Sequence, residues 1–448
     1  MSRLALWLGI LLSMLLSSKL FGQNDPITLS VKDAQDYAMK NSYELREATI
    51  EINKARKDVW ETIAGGLPQV EGTADYSKNL DLAVSLLPGE IVGEEKGTYV
   101  PVTFGQKYNS NFGFKVTQKI FDGSYIVGVQ SAKIYLRLTT TTKEKTEIEV
   151  RDAVAQAYYA ILVARANKKV QLDNMENTAK LLADTKAYYE NGFREEQDVD
   201  QLDLMMKQSK NNLLQAEREI KISMAVLKYV LGMPMNQKLE LSDDLLGLTN
   251  LILATSQEKN SFDPTNHIDY RLLESQLAAN KKLLDLEKSK YLPQINAFYN
   301  WQKTAYGNKA NLFNDDTPWF KSSMIGANAS VNIWSFGQKR ARINKAKLDV
   351  EKVRTQQEKE RQNLEKEYLS AVANFETAVD KYLNDVDNRD LADKIYGKTK
   401  IKFNNGVTTS TELSQMEGQY LQAYGTYIGS TLELLQARVR LDKILSKL

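Results

Sequence analysis

The sequence predicts a mainly α-helical, internally duplicated fold with long coiled-coil helices and a small membrane β-barrel portion of four strands per protomer. Three observations support this fold class. The stretch from Gln338 to Leu448 contains no proline, four short segments alternate apolar and polar residues, and the order of segments recurs along the chain. A helix of 60 or more residues would be roughly 90 to 100 Å long, so it needs partners of comparable length.

Residues 1–22 are typical of a secretory signal peptide. Arg3 precedes an apolar segment from Leu4 to Leu16, and the small residue Gly22 follows. Because the apolar segment is shorter than the ~20 residues of a membrane-spanning helix, we expect residues 1–22 to be removed. A retained membrane anchor is the alternative.

Composition argues against several classes of protein. Without residues 1–22, which contain Arg3 and Lys19 but no acid, 57 basic residues (59 − 2) balance 57 acidic ones, so no basic excess indicates a nucleic-acid partner. The chain has no cysteine and a single histidine, His267, which we expect on a surface helix. Disulfides and the common metal and nucleophile clusters are therefore not expected. We predict no catalytic residues, no metal site and no cofactor, and hence no enzyme.

The first half of the mature chain is predicted to contain a helix, a β-hairpin, a long helix and a further helix. Helical spacing of apolar residues changes to strict alternation after Gly65-Gly66-Leu67-Pro68 and returns after Phe121-Asp122-Gly123. Pro88, Pro101 and several glycines indicate a long loop from Leu82 to Tyr108. The predicted elements are a helix at 28–63, strands at 70–76 and 112–120, and helices at 125–189 and 198–231.

The second half is predicted to repeat this order. Leu292-Pro293-Gln294 again precedes an alternating segment, and Asn404-Asn405-Gly406 again interrupts two helices. In the last helix, apolar or small residues recur at steps of three and four from Leu413 to Ile444, with Ser430 as the only polar member of this heptad seam. The predicted elements are a helix at 265–290, strands at 295–301 and 325–333, and helices at 338–403 and 409–447.

The spacing of matching residues indicates a duplication. Gly123 and Gly337 are separated by the same interval as Gly192 and Gly406, which we call the repeat offset. The prolines of the two Leu-Pro-Gln sequences are further apart than this offset, so the first hairpin loop carries an insertion. The predicted organisation is a signal peptide at 1–22, a first repeat at 23–234, a linker at 235–264 and a second repeat at 265–448.

The four predicted strands have the length of bilayer-crossing strands. Alternation of apolar and polar residues is equally compatible with a half-buried soluble sheet. In a membrane, however, four strands would leave two open edges, and a trimer would close them into a twelve-stranded barrel. We expect five aromatic residues at the membrane interfaces, Tyr76, Phe112, Tyr299, Trp301 and Trp334. Ordinary packing within a sheet is the alternative role for these residues.

The mature chain resembles the TolC family of outer-membrane efflux proteins. The features that carry the resemblance are paired in the two halves: Leu-Pro-Gln at 67–69 and 292–294, strand ends at 120–123 and 333–337, and helix breaks at Gly192 and Gly406. The resemblance implies a homotrimer in outer-membrane lipid with a helical tunnel in the periplasm. It also implies docking to a periplasmic adaptor and an inner-membrane pump, as the exit duct of a tripartite efflux or type I secretion system gated at the helix tips.

The resemblance further implies a periplasmic aperture near the helix breaks. Some members of the family have a hydroxyl-bearing aromatic residue, an arginine and a second aspartate where this chain has Phe403, Thr408 and Gln415. A simple preference of acids for helix N-termini is the alternative role for Asp198 and Glu412. The candidate aperture residues are Asp198, Phe403, Thr408, Glu412 and Gln415, and the candidate adaptor-docking tips are Asn191, Gly192, Asn405 and Gly406.

Two other functions stay open at this point. An exported coiled-coil scaffold or adhesion protein without a pore would explain the heptad seam and the signal peptide, but not the four alternating segments. An exported enzyme would need a catalytic cluster for which the sequence offers no candidate. The sequence does not indicate which substrate, adaptor or pump a duct would serve.

Overall fold

The computed structural model describes residues 26–254 and 262–448, so the predicted signal peptide lies outside the described residues. The chain divides into two compact units. The first contains the described residues up to 51 together with 140–273 and 356–448, and the second contains 52–139 and 274–355. Each unit includes residues of both predicted repeats, whose boundaries stay a prediction.

Helices dominate the described chain, and the predicted element types are confirmed in their order. The helices are α1 (Val31–Asn41), α2 (Tyr43–Ala64), α3 (Gly89–Val92), α4 (Gly123–Glu190), α5 (Glu196–Val230), α6 (Leu245–Ala254), α7 (Ile268–Ser289), α8 (Gln338–Asn404) and α9 (Ser410–Ile444). The strands are β1 (Ile27–Leu29), β2 (Gln69–Lys78), β3 (Val84–Pro88), β4 (Tyr99–Thr103), β5 (Tyr108–Asp122), β6 (Leu239–Leu241), β7 (Gln294–Gly307) and β8 (Trp319–Ser330). None of the helices in this part of the chain is long and apolar enough to cross a membrane.

The second unit contains a four-stranded antiparallel sheet. Its order is β2-β5-β7-β8, so β2 and β8 are its edge strands. The two predicted hairpins, β2–β5 and β7–β8, are joined through the β5–β7 pair, which has a register shift between Lys119 and Phe121. The sheet therefore combines strands from both halves of the chain.

The strand register collects the apolar residues on one face. Val70, Val116, Tyr299 and Ile325 lie opposite one another in a row across all four strands. Aromatic rings occupy the same face in neighbouring rows, as in the stacked pair of Phe114 and Trp301 at 5.5 Å between ring centroids. Glu71 and Asp75 alternate with this set along β2, as predicted.

Two sequence predictions for this unit are wrong in detail. The predicted loop at 82–108 contains the β3–β4 hairpin and α3. The last strand ends at Ser330 rather than at residue 333, so Trp334 lies outside the sheet and packs edge-on against Phe336 at 6.0 Å. Trp334 therefore does not belong with the aromatic residues of the sheet.

The predicted helix at 28–63 is divided into α1 and α2 at Ser42. This residue has φ −59° and ψ 146°, outside the helical region, and its hydroxyl accepts a hydrogen bond from the Leu45 N–H at 3.4 Å. The backbone of Gly232 lies against this turn so closely that a β-carbon there would collide with the Asn41 carbonyl. A contact with a distant part of the chain therefore accompanies the break.

The predicted linker at 235–264 is ordered over its described part. It contains β6, which pairs in parallel with β1, and α6. The buried Tyr158 hydroxyl connects these segments, because it donates to the Leu29 carbonyl at 2.9 Å and accepts from the Asp243 N–H at 3.3 Å.

The prediction of a surface position for His267 is wrong. This side chain is buried, and burial lowers its pKa. The Asp269 carboxylate lies 3.5 Å from its Nδ1 atom.

The heptad seam predicted for the last helix is confirmed in α9. Every residue of the seam is buried or half-buried, including Leu413, Leu434 and Leu441. Its polar member, Ser430, is buried and donates its hydroxyl to the Tyr427 carbonyl at 3.1 Å. Burial of this stripe provides the packing that a helix of 35 residues requires.

Candidate functional site

Two breaks interrupt the helices of the first unit, the first at residues 191–195 between α4 and α5 and the second at residues 405–409 between α8 and α9. At the first break, Gly192 adopts φ +79° and donates its N–H to the Tyr189 carbonyl at 2.9 Å. The Phe193 N–H donates to the Tyr188 carbonyl, also at 2.9 Å. This bond pair is the Schellman motif, which favours glycine because its central residue is left-handed.

The second break has the same backbone geometry. Gly406 adopts φ +74°, and its N–H donates to the Phe403 carbonyl at 2.9 Å. The Val407 N–H donates to the Lys402 carbonyl at the same distance. The two glycines predicted as tip residues therefore terminate α4 and α8 in equivalent ways.

The start of α9 positions Thr408 and Glu412. The Thr409 hydroxyl accepts from the Glu412 N–H at 3.2 Å and so caps the helix. The buried Thr408 donates its hydroxyl to the Glu412 carboxylate. Glu412 therefore lies in the first helical turn, where its charge also interacts favourably with the helix dipole.

Arg194 joins the first break to the end of α8. Its guanidinium pairs with the Asp198 carboxylate at 3.5 Å and lies over the Phe403 ring, 4.2 Å from the ring centroid. It also donates a hydrogen bond to the Phe403 carbonyl, one of the last carbonyls of α8. Both partners in the ion pair are largely buried, so Asp198 and Phe403 are brought together through this one side chain.

The sequence prediction did not include Arg194, although a signal was present. The repeat offset that relates Asp198 to Glu412 also relates Arg194 to Thr408. The arginine expected in the second half is thus present at the matching position of the first half. Each break consequently carries a bonded pair at positions i and i+4, Arg194 with Asp198 and Thr408 with Glu412.

An apolar cluster lies beneath the two breaks. Phe403 is only 1% exposed and packs in it with residues from the other three helices. The other buried members of the cluster are Leu181, Leu202, Met205, Tyr396 and Leu413. All four helices contribute side chains to the cluster. A change in the packing of the α4–α5 pair would therefore alter the packing of the α8–α9 pair, and the reverse.

Most of the chain matches a known protein family. A family model described as outer membrane efflux protein matches residues 35–233 and 266–447. The chain belongs to the outer membrane efflux protein family. The resemblance to TolC-family channels is therefore confirmed, and the chain is an outer-membrane protein of a family of channels that are not enzymes.

Solved structures of outer-membrane channels have the same fold as this family member. It matches CusC with a TM-score of 0.72 at 16% identity, over 95% of both chains. It matches CmeC of Campylobacter jejuni with a TM-score of 0.70 at 14% identity, over 93% of this chain and 85% of that one. For VceC of Vibrio cholerae the TM-score is 0.68 at 13% identity, over 93% and 95%. No curated protein sequence matches this efflux family member.

The remaining predicted residues of this efflux protein lie on its surface. Asn191, Asn405 and Gln415 are all exposed. The Asn191 amide donates to the Ala187 carbonyl at 2.7 Å. Two exposed apolar side chains at the breaks were missed, Phe193 at 78% and Val407 at 72% exposure. They directly follow the two glycines, so the breaks themselves were the signal that could have found them.

The contacts at the two breaks allow a conformational change. In residues 26–254 and 262–448, no group of three or more His, Asp or Glu side chains is placed to hold a metal ion. What the geometry provides is a small set of polar contacts, centred on Arg194, between two helix pairs. Such contacts can break and reform without any covalent step.

Proposed function

We propose that three copies of this chain form an outer-membrane channel that serves as the exit duct of a tripartite efflux or type I secretion system. The observation that carries this proposal is the four-stranded sheet with one apolar face and two edge strands, β2 and β8. Unpaired strand edges are not tolerated in lipid. Because β2 and β8 run in opposite directions, β8 of one copy can pair with β2 of the next in the antiparallel sense, and three copies give twelve strands.

The exposed surface of the sheet supports this arrangement. Val70 is 69% exposed and Ile325 is 82% exposed, although both belong to the apolar row across the sheet. A contiguous apolar face of this kind is unfavourable in water and favourable against lipid hydrocarbon. The polar residues that alternate with it would then face an aqueous lumen.

Cysteine cross-linking tests the closed ring directly, because the natural chain has no cysteine. Thr73→Cys on the β2 edge would be combined in turn with Ser322→Cys, Met324→Cys and Asn328→Cys on the β8 edge. We expect one combination to give covalent trimers in outer-membrane fractions, while each single variant gives only heat-dissociable trimers. Monomers in every combination, together with the absence of conductance in planar bilayers, would refute the channel proposal.

We propose the helix breaks as the periplasmic end of this duct. In this proposal, Asp198, Phe403, Thr408, Glu412 and Gln415 surround the aperture, and the contacts of Arg194 hold the two helix pairs in the closed arrangement. The mixture of buried polar contacts and a shared apolar cluster supports a two-state gate. The gate requires no bound cofactor.

We further propose that a periplasmic adaptor, coupled to an inner-membrane pump, docks at Asn191, Gly192, Asn405 and Gly406. The exposed side chains of Phe193 and Val407 support this, because exposed apolar residues suit a protein partner. Phe193→Asp should abolish export in cells that contain the cognate adaptor and pump, whereas Phe193→Tyr should retain it. Both variants should conduct normally as purified channels, and normal export by Phe193→Asp would contradict docking at this tip.

A further inference from the structure

Glu417 is a buried carboxyl group shared by four helices of the first unit. It lies on α9 and is only 5% exposed. Its Oε1 accepts a hydrogen bond from the Asn174 amide at 2.6 Å and lies 3.3 Å from the Thr178 hydroxyl, both on α4. The Asn174 amide also donates to the Ser209 hydroxyl of α5 at 3.0 Å.

The ring of Tyr396 from α8 completes this arrangement. Tyr396 is buried, stacks on Tyr420 at 5.0 Å between ring centroids, and interacts electrostatically with Glu417. We refer to Asn174, Thr178, Ser209, Tyr396 and Glu417 as the Glu417 layer. The layer joins the α4–α5 pair to the α8–α9 pair.

Hydrogen-bond donors are scarce in the Glu417 layer. The single hydroxyl proton of Thr178 is also directed to the Asn174 carbonyl at 3.0 Å. The Asn174 amide has two N–H groups and also donates to Ser209, so it supplies one N–H to the carboxyl group. Two further buried atoms, Asn174 Oδ1 and the Tyr396 hydroxyl oxygen, have no hydrogen-bond partner among the described residues. An ionised carboxylate in such a site needs two or three donors, whereas a protonated one adds a donor itself.

The charged groups near Glu417 do not offset the effect of burial on its pKa. The groups that face it from α4 and α5 are the neutral side chains of Asn174, Thr178 and Ser209. From α8, the Lys400 ammonium lies 4.8 Å from the Tyr396 ring centroid and favours the ionised form. Burial is nevertheless the largest influence and raises the pKa of the Glu417 carboxyl above its ordinary value.

We propose that Glu417 is a positioning residue for the gate, and that its neutral form holds the two helix pairs together more firmly than its ionised form does. The inference rests on the proposed function, because it assigns a control element to the same aperture. Leu413, one helical turn from Glu417, belongs to the apolar cluster that holds Phe403 beneath the breaks. A looser Glu417 layer would therefore loosen the packing that supports the aperture.

The direction of the pH effect follows from the raised pKa. The stabilising contribution of Glu417 is complete below its unfolded-state value near 4.5 and is lost as the pH rises through the higher folded-state value. Acidification should thus close the channel more firmly, and a rise in pH should loosen it. Glu417→Gln keeps a neutral side chain of similar shape, so the variant should hold the two helix pairs together firmly at every pH.

Conductance of the full-length trimer in planar bilayers between about pH 5 and pH 8 tests this inference, since each pH unit across the pKa difference changes the equilibrium by up to about tenfold. The wild-type protein should open more often at the upper end of this range, whereas Glu417→Gln should open rarely and independently of pH. Glu433→Gln is the matched control, because Glu433 is exposed on the same helix, and it should keep the wild-type pH dependence.

Thermal unfolding separates this inference from the channel proposal. Glu417→Gln should raise the midpoint relative to wild type near pH 8, and the difference should vanish near pH 5. If wild-type trimers do not conduct, the channel proposal fails while the thermal comparison still decides the role of Glu417. If they conduct and Glu417→Gln retains the wild-type pH profile, the positioning role is refuted, whatever the thermal result.

Discussion

Replacement of Arg194 by methionine is the sharpest perturbation of the candidate gate. Methionine retains much of the aliphatic length but removes the ion pair with Asp198, the hydrogen bond to the Phe403 carbonyl and the interaction with the Phe403 ring. A hydrogen bond from a charged donor contributes ~1.5–3 kcal/mol. A largely desolvated cation–π contact contributes about 1–2 kcal/mol. Because these contributions overlap in one side chain, we expect a total loss of ~2–4 kcal/mol.

This loss converts into a measurable change in gating. If all three contacts break when the aperture opens, ~2–4 kcal/mol corresponds to an increase of about 30- to 1,000-fold in the ratio of open to closed channels. Single-channel recording of purified trimers measures that ratio. Arg194→Lys retains the charge but not the planar guanidinium, so its effect should be intermediate.

A double-mutant cycle identifies the contact responsible. Phe403→Leu removes the aromatic face but leaves the backbone carbonyl in place. The combination Arg194→Met with Phe403→Leu should show a coupling of about 1–2 kcal/mol in the gating free energy. Additivity of the two single effects within ~0.5 kcal/mol, or an unchanged open probability in Arg194→Met, would refute the bridging role of Arg194.

Three further predictions concern stability and are checked by thermal or denaturant unfolding of the purified protein. Gly406→Ala should lower the free energy of unfolding by roughly 1–2 kcal/mol because of its left-handed backbone, although the space around its β-carbon is open, and Gly406→Asn should cost less; equal costs would contradict the argument. Tyr158→Phe should cost ~1–3 kcal/mol, since the Leu29 carbonyl and the Asp243 N–H each lose a partner; an unchanged midpoint would show that these groups find other partners. Leu434→Ala should cost ~2–5 kcal/mol, because Leu434 is completely buried in the seam of α9, and a cost below ~1 kcal/mol would mean that the cavity collapses.

The sequence predicted the elements of the sheet because periodicity is a local property. In β2 and β7, strict alternation identifies both the strand and its apolar face without any knowledge of partners. The hairpin between β3 and β4 was missed because Pro88 and Pro101 argue against strands. Pro101 pairs with Leu86 in a sheet of two strands, and an edge strand tolerates a residue that lacks an N–H.

Contacts between distant residues explain what the sequence could not indicate. The break at Ser42 accompanies the close approach of Gly232, and the sequence around Ser42 does not indicate that approach. In the same way, Arg194 and Phe403 are far apart in the sequence, and only the packing of α4 and α5 against α8 and α9 brings them together. Propensity and pattern identify where a helix ends but not which side chain from another helix will meet that end.

The two breaks nevertheless carry different polar pairs at positions that the repeat offset matches. The backbone geometry is the same at both, yet the first carries the charged pair of Arg194 and Asp198 and the second carries the Thr408 hydroxyl with Glu412. Only the arginine also reaches the other helix pair. Thr408→Val should therefore cost ~0.5–1.5 kcal/mol, mostly within its own helix turn, and should change the open probability far less than Arg194→Met. An equal or larger effect of Thr408→Val would place the main closing contact at the second break instead of the first.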